Sequence, residues 1–153
     1  MKKPLLIIIA VLVVIQLIRI DKTNLPIDPK EDYVNIVHAP DNVKAILKRS
    51  CYDCHSNTVT YPWYSNIAPV SWYIKDHVNE GREHVNFSEF GKYNALQTQS
   101  VHTSLYKSML RGGMPLDSYT LIHKNAILSL KDRKILFEWF KQFAPNTEDD
   151  EME

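Results

Sequence analysis

Residues 41–55 read Asp-Asn-Val-Lys-Ala-Ile-Leu-Lys-Arg-Ser-Cys-Tyr-Asp-Cys-His, and this stretch decides the fold. Val43, Ile46, Leu47 and Ser50 recur at the helical period, and Asp41 is placed to cap the helix they define. That helix runs straight into Cys51-Tyr52-Asp53-Cys54-His55. On a helical turn, residues three apart face the same way, so both thiols point together. Sulfurs so spaced reach the two vinyl groups on one porphyrin edge, and the next residue, His55, is held beneath the iron. The pattern is the attachment signature of haem c.

Other uses of two nearby cysteines fit less well. A thioredoxin-like pair belongs at a strand-to-helix junction, which this sequence lacks. A zinc half-site needs two further ligands. His77 and His84, or His102 and His123, do not repeat finger or ribbon spacing. A simple disulfide leaves His55 without a role.

Further along, Pro69 suits the start of a second helix through Val70, Tyr73, Ile74, His77 and Val78, ending near Gly81. A third is expected from Leu96 to Leu110, with Val101, Leu105 and Met109 on one side and Gly112-Gly113 as its stop. Ser129-Leu130-Lys131-Asp132 resembles a capping box and opens a last helix. Its apolar face is Ile135, Leu136, Trp139, Phe140 and Phe143. No strand pattern and no internal repeat is visible, so the domain reads as all-α.

Ahead of the motif, Lys2 and Lys3 precede an aliphatic run from Leu5 to Ile15, and no acid occurs before Asp21. This reads as an export segment. Gln16 to Asp21 offers no small-residue cleavage site, which favours an uncleaved anchor in residues 1–20. A helix over residues 4–20 would span about 26 Å, and lysine and arginine stems would make up the rest of a transmembrane crossing. Lys2 and Lys3 then stay in the cytoplasm and the remainder lies in the periplasm of a bacterium, single-pass in its inner membrane. Residues 21–40, with Pro26, Pro29 and Pro40, read as an extended tether; 41–144 form the domain, and 145–153 a disordered acidic tail.

The 153 residues suffice for one domain, and 18 basic against 18 acidic groups give no reason to expect a nucleic-acid partner. Both cysteines sit in one short window, which excludes a multi-disulfide scaffold.

A haem so attached takes a second axial ligand from Met114, His38, His77, His84, His102 or His123. Met114 stands out for its setting, Gly112-Gly113-Met114-Pro115, where the glycines let the backbone come close and the proline disfavours helix. His102 and His123 are the reserves. The proximal imidazole needs a carbonyl for its other N–H, and Pro62 and Pro69 lie in a suitable stretch. Tyr61, Trp63, Tyr64, Trp72 and Tyr73 are core candidates by default, with one or two reaching the propionates as the sharper reading. Arg82 is a candidate propionate partner or a solvated cation.

The run Cys51-Tyr52-Asp53-Cys54-His55-Ser56-Asn57 and Tyr61-Pro62-Trp63-Tyr64 resembles the bacterial haem-binding domain family of cytochrome c-like proteins. So do Ala68-Pro69-Val70-Ser71-Trp72, Glu80-Gly81-Arg82, Asn86-Phe87-Ser88-Glu89-Phe90, Met114-Pro115, Tyr119, His123 and Leu128-Ser129. Leu116 and Lys124 depart from prolines common in that family. The resemblance implies one covalent haem c per chain, a cytochrome c-like helical fold, and export to the periplasm beside electron-transfer modules.

The expected function is electron transfer by a membrane-anchored periplasmic monohaem cytochrome, with redox proteins as partners and Cys51, Cys54, His55 and Met114 holding the haem. No paired carboxylates or nucleophile–base arrangement points to an enzyme. The alternative is a peroxidase-like enzyme or gas sensor whose sixth ligand is labile or absent, with His102 or His123 as acid–base group. A third, haem-free reading leaves Cys51 and Cys54 as a dithiol or zinc half-site.

Overall fold

The computed structural model describes residues 2–144. The acidic tail expected at 145–153 lies outside them. Eight α-helices follow in order: α1 (Lys2–Ile15), α2 (Tyr33–Ile36), α3 (Asp41–Ser50), α4 (Tyr52–His55), α5 (Val70–His84), α6 (Ala95–Arg111), α7 (Asp117–Thr120) and α8 (Leu130–Lys141), with short 3-10 turns between them. Among the described residues there is no strand. The all-α expectation holds.

Local sequence accounts for most boundaries. In α3 the buried residues are Val43, Ile46, Leu47 and Ser50, the face read from the period. Asp41 is its first residue rather than its cap, because Pro40 takes the N-cap position without a side-chain bond. α5 runs past Gly81 to His84. α6 opens on a capping box in which Asn94 and Gln97 satisfy each other's backbone amides, and closes on Gly112 at φ 67°, a left-handed conformation that suits glycine. α8 opens on the expected Ser129–Asp132 capping box. Its buried face is Leu136, Phe137 and Phe140, while Ile135 and Trp139 are only partly covered.

α6 packs on α8, α3 packs on both α8 and α4, and α4 lies against α5. Leu47, Tyr106 and Leu136 are fully covered, and Val43, Met109 and Phe140 nearly so. Burying each side chain of this size stabilises by about 1.5–3 kcal/mol. Arg49 reaches Asp132 over 3.0 Å, joining the end of α3 to the cap of α8.

The N-terminal quarter departs from expectation twice. First, the proposed transmembrane helix over residues 4–20 is replaced by the 14-residue α1, about 21 Å long at about 1.5 Å per residue. No helix of the described residues is long and apolar enough to cross a membrane. The physical reason is Gln16. Bonds from Gln16, Leu17 and Ile18 back to Val13, Val14 and Ile15 tighten the last turn. The Gln16 amide then leaves the helix, donating to Ala68 O at 2.9 Å and accepting from Ala68 N at 2.9 Å.

Second, residues 21–40 are not a free tether. Asn24 exchanges two hydrogen bonds with Val59, of 3.1 and 3.0 Å, and the Asn57 amide donates to Pro26 O at 3.1 Å. Asp32 caps α2 by accepting from Val34 N, and Tyr33 is wholly buried. The Tyr33 ring meets Phe90 edge-on at 4.8 Å and Phe87 at 5.3 Å. The packed domain therefore begins well before Asp41.

Candidate functional site

α3 ends at Ser50 and α4 restarts the helix one residue later, so the attachment motif is a single turn pinned at both ends. Its first intervening residue, Tyr52, stacks on Phe87 with centroids 5.1 Å apart and donates its hydroxyl to Asp32 at 2.7 Å. Its second, Asp53, accepts from the Tyr119 hydroxyl at 2.6 Å. Just beyond, Ser56 donates to Tyr52 O at 2.7 Å, and Asn57 accepts from Asn86 at 2.8 Å. Ser88 accepts from Asn57 N at 3.1 Å. The Ser-Asn after the motif and the Asn-Phe-Ser of residues 86–88 are therefore two halves of one buried polar clasp.

His55 is largely enclosed. Its Nδ1 lies 2.7 Å from Gly81 O and 3.2 Å from Val85 O, both at the end of α5. Two carbonyl neighbours fix Nδ1 as the protonated nitrogen and leave Nε2 with its lone pair. Burial is the main influence lowering the His55 pKa, so the imidazole is held neutral, the form that binds a metal. The orienting carbonyl is thus Gly81, not Pro62 or Pro69. The choice of glycine has a steric cause: a Cβ on residue 81 would stand 2.8 Å from Cys54 O.

Cys51, His55 and Met114 border one cavity of about 420 Å³, walled by Phe87, Val101, Met109 and Phe140. Cys54 borders the neighbouring cavity instead, with Tyr64, Tyr119 and His123. The two are joined by one loop, since Met114 and Pro115 line the first and Leu116 the second. The thiols are free, and burial pushes Cys51 up to about 12 and Cys54 up to about 11. Neutral thiols do not suit a thioredoxin-like exchange, which needs a thiolate. Among the described residues no three of His, Cys, Asp and Glu gather as a metal site, which leaves the zinc reading without partners.

The other candidates fall elsewhere. His102 is buried in the aromatic core, stacked on Phe143 at 4.7 Å, and does not line the His55 cavity. His123 faces the Cys54 cavity, its Nε2 2.6 Å from the Tyr64 hydroxyl. His77 bonds back to Tyr73 O, and His38 sits in the turn after α2 at φ 50°. The histidine on the wall of the His55 cavity is His84, a position not favoured by spacing. Gly112 serves α6 as its cap, and Gly113 has open space around it, so neither makes the close approach expected of the pair.

Arg82 donates to Ser56 O at 2.8 Å and so buttresses the motif's exit. Trp72 donates to Ile18 O at 3.1 Å, Tyr73 reaches Ser118, and Trp63 is 76% exposed. These aromatic residues were expected to be core; most brace loops instead.

The residues fit a flat, iron-bearing prosthetic group: a neutral imidazole with one nitrogen anchored, a thioether and the Cys51 thiol on the wall of the same cavity, and the Cys54 thiol on the neighbouring one. This is an all-helical domain built to hold such a group. A family model described as haem-binding domain matches residues 10–142, and the chain belongs to that family. Its match starts inside α1, in keeping with a domain that includes the N-terminal segment. The search of curated proteins found no match, nor did the search of solved structures.

Proposed function

We propose that this haem-binding protein is a monohaem c-type cytochrome that carries electrons, with Cys51 and Cys54 attached to the porphyrin and His55 and Met114 as axial ligands. The single observation that carries the reading is the anchoring of His55 Nδ1 by Gly81 O at 2.7 Å, beside a cavity shared with Cys51 and Met114. When bound, the haem supplies a one-electron couple, and a thioether ligand raises its potential. The chain's own residues do the rest. Gly81 fixes the imidazole, Phe87 and Phe140 supply apolar wall to the cavity, and Asp53 with Tyr119 holds the Met114 loop to the motif. Export to the bacterial periplasm, attachment at the inner membrane through α1, and redox proteins as partners complete the proposal.

Expression of the full chain with a cytochrome c maturation system tests it. Haem retained on a denaturing gel, with the far-red band of methionine-ligated ferric iron, is the expected result. Loss of haem on denaturation would remove covalent attachment. A high-spin ferric spectrum with rapid carbon monoxide binding to the ferrous form would replace the carrier by a sensor or enzyme.

A further inference from the structure

We infer that the haem-binding domain lies directly on a phospholipid bilayer, seated by a patch of Leu17, Ile18, Trp63 and Ile67 at the foot of α1. The inference rests on placing α1 in a membrane and extends that contact to the folded domain.

α1 carries exposed aliphatic side chains around its circumference, with Leu5 at 59%, Val11 at 53% and Val13 at 65% exposure. With 14 residues the helix is too short to cross a bilayer, but side chains this apolar are covered when it enters the acyl layer. The apolar surface does not stop where the helix stops. Leu17 is 81% exposed and Ile18 60%, directly after α1. Trp63 at 76% and Ile67 at 44% come from the segment that grips the chain leaving α1, whereas Val70 lines the Cys54 cavity.

The grip is specific. Gln16 pairs with both backbone atoms of Ala68, Trp72 holds Ile18 O, and Asn66 receives Arg19 through its carbonyl and Lys22 through its side chain. These bonds fix the backbone of residues 66–72 beside the end of the helix, and with it the segment that carries Trp63 and Ile67. A lipid-embedded α1 therefore brings them to the headgroup level.

The composition suits that level. Tryptophan is favoured at membrane interfaces, and Arg19 and Lys22 offer charge to lipid phosphates from the same edge. The nearby Asp21 carboxylate accepts from Thr23 N at 2.8 Å. Exposed apolar surface that continues the apolar surface of α1 and is edged by cations suits a bilayer.

Hydroxyl-radical footprinting tests this on the full, haem-loaded chain, in nanodiscs of phosphatidylcholine and phosphatidylglycerol with one chain per disc. Leu96 and Leu130, 78% and 89% exposed outside the patch, report the radical dose. N-acetyltryptophanamide in the same sample gives the free tryptophan rate. The expected result is Trp63 oxidation at least fivefold below the free rate, with recovery of threefold or more in Gln16→Ala, where the grip is loosened. A chain that stays with the discs but oxidises Trp63 within twofold of the free rate overturns the patch alone. A chain that leaves the discs overturns the membrane placement of α1 and the patch together. Protection seen only with two chains per disc assigns the surface to a second copy and overturns the bilayer.

Discussion

The Tyr119 hydroxyl donates to Asp53 Oδ2 over 2.6 Å, joining the segment that follows Met114 to the residue between the two cysteines. The bond spans 66 positions in sequence and links the two sides of the site. Burial and Asp53 together raise the Tyr119 pKa, which keeps the phenol protonated as donor. Tyr119→Phe removes a hydrogen bond to a charged acceptor, worth about 1.5–3 kcal/mol. Urea unfolding of the loaded protein is expected to shift by that amount. The methionine band of the proposed ligation should also fade below the temperature of global unfolding, a loss that a purely structural role elsewhere would not cause.

Gly81 admits no side chain without movement. In Gly81→Ala the new Cβ meets Cys54 O at 2.8 Å, so α5 must draw back from the attachment turn. Overpacking of this kind costs about 1–3 kcal/mol. It also lengthens the Gly81–His55 bond, so thermal melting and haem yield are expected to fall together. A melt and yield equal to wild type would show that the close approach relaxes freely.

His102 gives the fold a pH dependence. Its Nε2 is buried without a hydrogen-bond partner, and burial lowers its pKa. The folded state thus favours the neutral ring, while the unfolded chain titrates near its ordinary value of about 6.5. Stability from this group is complete above that value and is lost as pH falls through the lower folded pKa. Unfolding midpoints are expected to drop between neutral and mildly acidic pH. His102→Phe, which keeps an aromatic ring against Phe143, should flatten that decline relative to wild type.

The stitches along residues 16–26 should resist protease. Trypsin cuts after Arg19 and Lys22, yet both side chains are bonded to Asn66. Cleavage there is expected to be slow in the wild type and several-fold faster in Gln16→Ala. Equal rates would mean that the Ala68 contact does not hold the segment.

How much of this was legible beforehand depends on sequence distance. The face of α3, the Ser129–Asp132 cap and the Gly112 stop are local, and the helical period displays them. The haem motif is local too, and the family match agrees with the haem reading. What stayed hidden is long-range. Gly81 serves His55 from 26 positions away, and Gln16 serves Ala68 from 52. Periodicity cannot announce such partners. Prolines at 26, 29 and 40 looked like linker composition, and nothing local marks Tyr33 as core. The family's Glu80-Gly81-Arg82 was the available clue, since a glycine inside an otherwise helical pattern points to close packing.

A loose chain of about twenty residues would let its cargo wander roughly 25 Å from its root. With the Gln16–Ala68 pair closed, the haem pocket has no such freedom. Under the proposed attachment of α1 at a membrane, it would be a post set in a floor and not a boat on a rope. Exchange then depends on what drifts past in two dimensions or comes down from above, and on which side the post faces. Under that proposal, a membrane-resident donor would meet this pocket at a repeatable angle each time. Lengthening the run between Ile15 and Gln16 would convert the post into a shuttle without touching any ligand.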